Sequence, residues 1–202
     1  MSEFIVVFLL WISVLIPSSV FASLISRRSP KMAVYVMQFT IFLFSVILME
    51  VMGGMERFNL FWRWDYVPQA SLIGFGVSFI FNLFANDVDI PEFLPGGIEG
   101  IIMLLLIAPL SEEVFNRGLL EGYLIFYGHF WSAIFFSALL FALPHWVAFK
   151  GGFGKKTLMA VEAFIIGSLS GYFFILGGLF PAFTLHSSAN LAGIMVNRIR
   201  KV

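Results

Sequence analysis

Apolar residues run through this chain in blocks of about twenty, separated by short stretches where charges, glycines and prolines collect. The blocks fall at 4–24, 32–54, 66–84, 98–127, 130–149, 157–177 and 180–197. A helix needs about 20 apolar residues to cross the hydrocarbon layer. The pattern therefore predicts an all-α, polytopic transmembrane helix bundle of about seven spans, and Gly177-Gly178 leaves seven or eight crossings open at the last hairpin. No soluble stretch, long linker or repeat interrupts the blocks, so residues 1–202 read as a single membrane domain.

The first block has no Lys or Arg before it and no A-x-A cleavage site after it, and its positive charges come later, at Arg27, Arg28 and Lys31. It reads as a retained span and not as a removable signal. With seven crossings, those three residues fall on the same side as Lys150, Lys155 and Lys156, and as Arg198, Arg200 and Lys201. By the positive-inside rule that side is cytoplasmic. The expected product is a multi-pass protein of the cell membrane with its N-terminus outside and its C-terminus in the cytoplasm. Asp87, Asp89 and Glu92 share the cytoplasmic side but weigh little in this rule. Trp62 and Trp64, beside Arg57 and Arg63, mark an interfacial anchor on the opposite face.

Composition agrees with lipid as the solvent. Charged residues make up 12% of the chain, where a soluble domain carries about a quarter, and 60% of residues are hydrophobic. The 26 Phe exceed what a water-soluble core of 202 residues encloses. A formal net charge of zero argues against nucleic acid as a partner. The absence of cysteine excludes a disulfide framework, a thiolate zinc site and a cysteine nucleophile together.

Against this background the fourth block stands out, because its middle reads Ser-Glu-Glu-Val-Phe-Asn-Arg-Gly. A charged side chain at helix centre costs roughly 2.5–3.5 kcal/mol on insertion scales, so Glu112, Glu113, Arg117 and Glu121 must face the bundle interior and pair. Glu113, Arg117 and Glu121 are spaced four and four, which stacks them on one helix face. Glu112 lies about 100° around the helix and points elsewhere. Glu113 is thus the structural carboxylate and Glu112 the candidate for chemistry. Two other spans supply imidazoles: His145 follows Pro144 on the fifth, and His186 stands four residues before Asn190 on the last. A carboxylate, two histidines and an amide on three helices are the inventory for activating a water and holding an oxyanion. They imply a water-accessible cavity among spans four, five and seven. One distance conflicts with this: Glu112 and His145 lie about 16 residues from the outer face, near 24 Å at 1.5 Å per residue, whereas His186 is only about six residues into its span.

Glu-Glu-x-x-x-Arg at 112–117, Phe-x-x-x-His at 141–145 and His-x-x-x-Asn at 186–190 occur in this order, each on a predicted span. Together they resemble the three signature motifs of the CAAX protease and bacteriocin-processing (CPBP) family of intramembrane proteases, over residues 112–190. The resemblance implies an endopeptidase acting on a membrane-associated protein or peptide. In it, Glu112 and His145 position and deprotonate the attacking water, His186 and Asn190 stabilise the tetrahedral oxyanion, and Glu113 and Arg117 support the site. Arg117 could also attract a substrate carboxylate. Metal dependence stays open: Glu112, His145 and His186 could form a three-ligand zinc site with an open position. The absence of H-E-x-x-H and the Asn beside His186 favour a site without a permanent metal.

Other readings of the same residues differ in class. A buried Glu/His cluster also serves proton- or ion-coupled transport, but a transporter would show an internal repeat with paired broken helices, and none is evident. An immunity or chaperone-like factor without proteolysis would not need the full motif set. Ser170, in Gly167-Ser-Leu-Ser-Gly171, could pair with His186 as in a rhomboid, but Ser168 stands where that motif has Gly, and small residues here suit close helix packing.

The orientation is open to direct measurement, since a chain without cysteine accepts single probes. A membrane-impermeant maleimide added to intact cells should label a Ser2→Cys variant, and should label Arg28→Cys only after permeabilisation. The reverse pattern would invert the topology.

Overall fold

The computed structural model describes residues 2–58, 60–85, 96–148 and 151–200. Among the residues used for orientation and entry, Asp87, Asp89, Glu92, Lys150 and Lys201 lie outside the described residues. The described chain is helical almost throughout and contains no strand, only an isolated antiparallel bridge. Its long helices are α1 (Glu3–Ser26), α2 (Pro30–Val51), α3 (Val67–Phe84), α4 (97–126), α5 (Phe130–Ala148), α6 (Phe153–Gly177) and α7 (Leu179–Ile199). They coincide with the seven apolar blocks to within a few residues. Six are long and apolar enough to cross a membrane. The remaining one, α4, is as long but carries the charge cluster.

Local chemistry fixes the ends. At the start of α2 the Ser29 hydroxyl accepts from the Met32 N–H at 3.3 Å, with Pro30 in the first turn. The last hairpin is a single residue, Gly178, at φ 79°. A Cβ there would meet the Phe61 carbonyl oxygen at 1.7 Å, so only glycine fits. Around it Arg63 N–H donates to Gly177 O (2.9 Å) and Leu179 N–H to Phe61 O (3.2 Å). The Phe180 ring packs on Trp62 and Trp64, which remain exposed. The α6–α7 turn is therefore buried beneath residues 61–64, and α7 begins inside the protein. His186 therefore lies further from this end of the bundle than its position in the span suggests.

Helix α4 packs against α1, α2, α5, α6 and α7, its first half keeping an exposed apolar face at Ile98, Ile102, Leu106 and Leu110, while α3 lies mainly on α7. Every side chain from Val114 to Glu121 is buried. The helix is not regular. Pro109 has no N–H for the carbonyl four residues back, that of Leu105, and the helix widens into a π-helical turn at Met103–Ile107. A second π-helical stretch covers Val114–Glu121. Carbonyls released in lipid need partners. Ser187 Oγ donates to Leu105 O and Asn190 Nδ2 to Leu104 O, both at 2.8 Å. In α5, Pro144 releases Leu140 O, and the Trp11 indole N–H donates to it at 3.1 Å.

On α3 the buried residues are Ala70, Gly74, Ser78 and Asn82, a small-residue stripe with period four. It lets the backbones of α3 and α7 approach until a Cβ at Gly74 would sit 2.2 Å from Leu185 O, whereas Gly76 faces open space. Gly74→Ala should therefore lower the thermal midpoint in detergent, by the equivalent of about 1–3 kcal/mol of overpacking. Gly76→Ala should leave the midpoint unchanged or raise it. Equal effects would remove the close contact.

Candidate active site

The adjacent carboxylates of α4 enter different surroundings, as their 100° separation requires. Glu113, 1% exposed, is enclosed by three helices. Its Oε1 accepts from His186 Nδ1 at 2.9 Å and its Oε2 from Ser170 Oγ at 2.6 Å, with Arg117 Nε 3.3 Å from Oε2. Arg117 continues to Glu121, with Nη1 donating to Oε2 at 2.7 Å, and Ser137 Oγ donates to the same oxygen at 2.9 Å. The ladder Glu113–Arg117–Glu121 read from the spacing is present. Two of the earlier readings need correction. Arg117 is wholly buried, with its guanidinium 5.9 Å from the Phe141 ring centroid, so it cannot meet a substrate carboxylate. Ser170 is a hydrogen-bond donor to Glu113, which excludes the rhomboid-like pairing with His186 in this arrangement.

Glu112 faces a cavity. Its Oε1 accepts from Gln38 Nε2 at 3.1 Å, and its Oε2 lies 3.8 Å from His186 Nε2. That separation is too long for a direct hydrogen bond. His145 Nδ1 is 2.8 Å from Phe141 O. A carbonyl oxygen only accepts, so Nδ1 carries the proton and Nε2 is the basic nitrogen of the neutral ring. Glu112 and His145 line one cavity of ≈ 70 Å³ together with Gln38, Asn116, Trp11 and Leu15, among others. This volume holds a few water molecules. The Phe141 ring lies between the histidines, with centroids 4.5 Å from His145 and 5.4 Å from His186.

The cavity walls differ from expectation. They come from α1, α2, α4 and α5, and α7 does not line them. His186 reaches Glu112 from the far side of Phe141, held there by Glu113. Asn190 has one N–H engaged by Leu104 O, so it also fastens α7 to the widened turn of α4.

Among the described residues no group of three His, Asp or Glu side chains is gathered around one point.

The sequence reading missed Gln38, Asn116 and Trp11. Gln38 is an amide inside an apolar span, 8% exposed, and that placement was the available signal. Asn116 lies in the motif itself, where its Nδ2 donates to Glu112 O at 2.8 Å. Trp11 gave no sign, since aromatics are common throughout these spans. Glu162, a further buried carboxylate on α6, accepts from Ser78 (2.6 Å) and Asn82 (3.2 Å) on α3.

No curated protein and no solved structure matches the chain. Residues 95–192 match the family described as Rce1-like, the type II CAAX prenyl endopeptidases. That stretch holds Glu112, Glu113, Arg117, His145, His186 and Asn190, so the chain is similar to this family over the part that carries the three motifs.

Proposed function

We propose that the protein is an intramembrane endopeptidase in which Glu112 is the general base for a water held in the cavity it shares with His145. The observation that carries this reading is the unequal treatment of neighbouring carboxylates. Glu113 is fully engaged by Arg117, Ser170 and His186, while Glu112 keeps Oε2 facing His186 Nε2 across a 3.8 Å gap.

In this mechanism the water enters the cavity that Glu112 and His145 line together. Glu112 takes one of its protons as the oxygen attacks the scissile carbonyl. The carbonyl becomes a tetrahedral oxyanion; because His186 Nδ1–H is given to Glu113, Nε2 donates to that oxyanion as part of an imidazolium, and the second N–H of Asn190 is the other donor from α7. Glu112 then returns the proton to the leaving amine. Glu113 fixes the ring of His186 through Nδ1, so that Nε2 meets the reacting atoms. The substrate is a membrane-attached chain whose cleaved segment is presented near the cytoplasmic end of α5, and a lipid-anchored C-terminus suits the matched family.

Glu112→Gln removes the base and keeps the shape. In detergent, with two internally quenched peptides, one ending in a prenylated Cys-aliphatic-aliphatic-X sequence and one an unmodified apolar leader, kcat should fall at least about a hundredfold on whichever the parent cleaves. Cleavage of neither by the parent, or equal turnover by the variant, defeats the reading. Parent activity should also survive exhaustive chelation. A loss restored only by zinc would return the metal mechanism to consideration.

A further inference from the structure

Gln38 lies on α2, outside the stretch that carries the family motifs, yet it makes the one side-chain hydrogen bond found to Glu112 among the described residues. We propose that Gln38 is the positioning residue for the base, and that its amide serves Glu112 in both protonation states. This rests on the reading of Glu112 given above.

The argument is one of hydrogen-bond capacity. The Gln38 Nε2 group donates to Glu112 Oε1 at 3.1 Å, and Gln38 Oε1 accepts from the Ser111 hydroxyl. Ser111 is 3% exposed, and its Oγ is also 3.0 Å from Ala108 O. One hydroxyl hydrogen therefore has two acceptors within reach. While Glu112 is ionised, the amide presents its NH₂ to the carboxylate, and Ser111 donates to the amide oxygen. Once Glu112 has taken the proton of the water on Oε2, Oε1 becomes the carbonyl oxygen of the acid and still accepts from the same amide N–H, so the amide need not turn and Ser111 keeps its place on the amide oxygen. Each group of the chain Glu112–Gln38–Ser111 has a partner before and after the proton arrives. A carboxylate held on Oε1 in this way keeps Oε2 for the water. An apolar residue at this position would leave Oε1 without this donor in both states.

The test uses the purified full chain and whichever of the two quenched peptides it cleaves. Gln38→Met keeps the length and removes both donor and acceptor, so kcat should fall about 10- to 100-fold, the scale of a hydrogen bond to a charged group, with KM within about twofold. Ser111→Ala should cost about three- to tenfold, and the double variant should be no slower than Gln38→Met alone, because both residues act through one chain. Gln38→Asn, which keeps the amide but withdraws it from Glu112, guards against misfolding and should also lose kcat while the thermal midpoint stays near the parent's. Parent-like kcat in both Gln38 variants, a change confined to KM, or additive losses with Ser111→Ala would overturn the proposal. If Glu112→Gln is inactive while Gln38→Met matches the parent, only this inference falls. If Glu112→Gln is active, the base assignment falls with it.

Discussion

A carboxylate sealed inside an apolar bundle persists only where its lone pairs are matched, and the rest of this structure is arranged around meeting that requirement at Glu113. Its partners come from three helices: Arg117 on α4, Ser170 on α6 and His186 on α7. Removing one member of such a buried pair costs about 3–5 kcal/mol, so these contacts set where α6 and α7 stand around α4. Close approach is possible because small residues face the cluster. A Cβ at Gly171 would lie 2.6 Å from Glu121 Oε2, and one at Gly167 would lie 3.2 Å from the Phe141 ring. The orientation of His186, and with it the 3.8 Å gap to Glu112, follows from this scaffold.

The division of labour between Glu112 and Glu113 begins with helix geometry and is completed by packing. One residue of rotation places Glu113 among donors from α6 and α7 and turns Glu112 toward α2. The π-helical turns on both sides of the pair shift the faces that follow, which is how a ladder with four-residue spacing and a cavity wall coexist on one helix.

Much of this was legible in the sequence, for a physical reason. Lipid imposes a length on every crossing, so the apolar blocks mark the helices, and charge inside such a block is costly enough that Glu112, Glu113 and Arg117 announced a buried site. Gln38 and Trp11 did not announce themselves, because an amide or an indole is tolerated in an apolar span and its partner lies on another helix. The cavity was expected among spans four, five and seven from its polar residues, whereas its walls are largely apolar residues such as Leu15, Met37, Ile41 and Phe115, from α1, α2 and α4. By composition these cannot be told from residues that face lipid. The depth of His186 depended on residues 61–64 covering the α6–α7 turn, a tertiary contact that no local pattern encodes.

The two helix-interrupting prolines have a further consequence. Each leaves a carbonyl that a different helix must satisfy: Ser187 and Asn190 brace the kinked part of α4, and Trp11 braces α5. The defects thereby become cross-ties that lock the axial register of neighbouring helices. The amino-terminal helix supplies no reacting group, yet the indole it contributes holds the wall of α5 one turn from His145. A motif histidine that follows a proline thus depends on a tryptophan far away along the chain, and the first span belongs to the site's framework as much as the spans that carry the motifs.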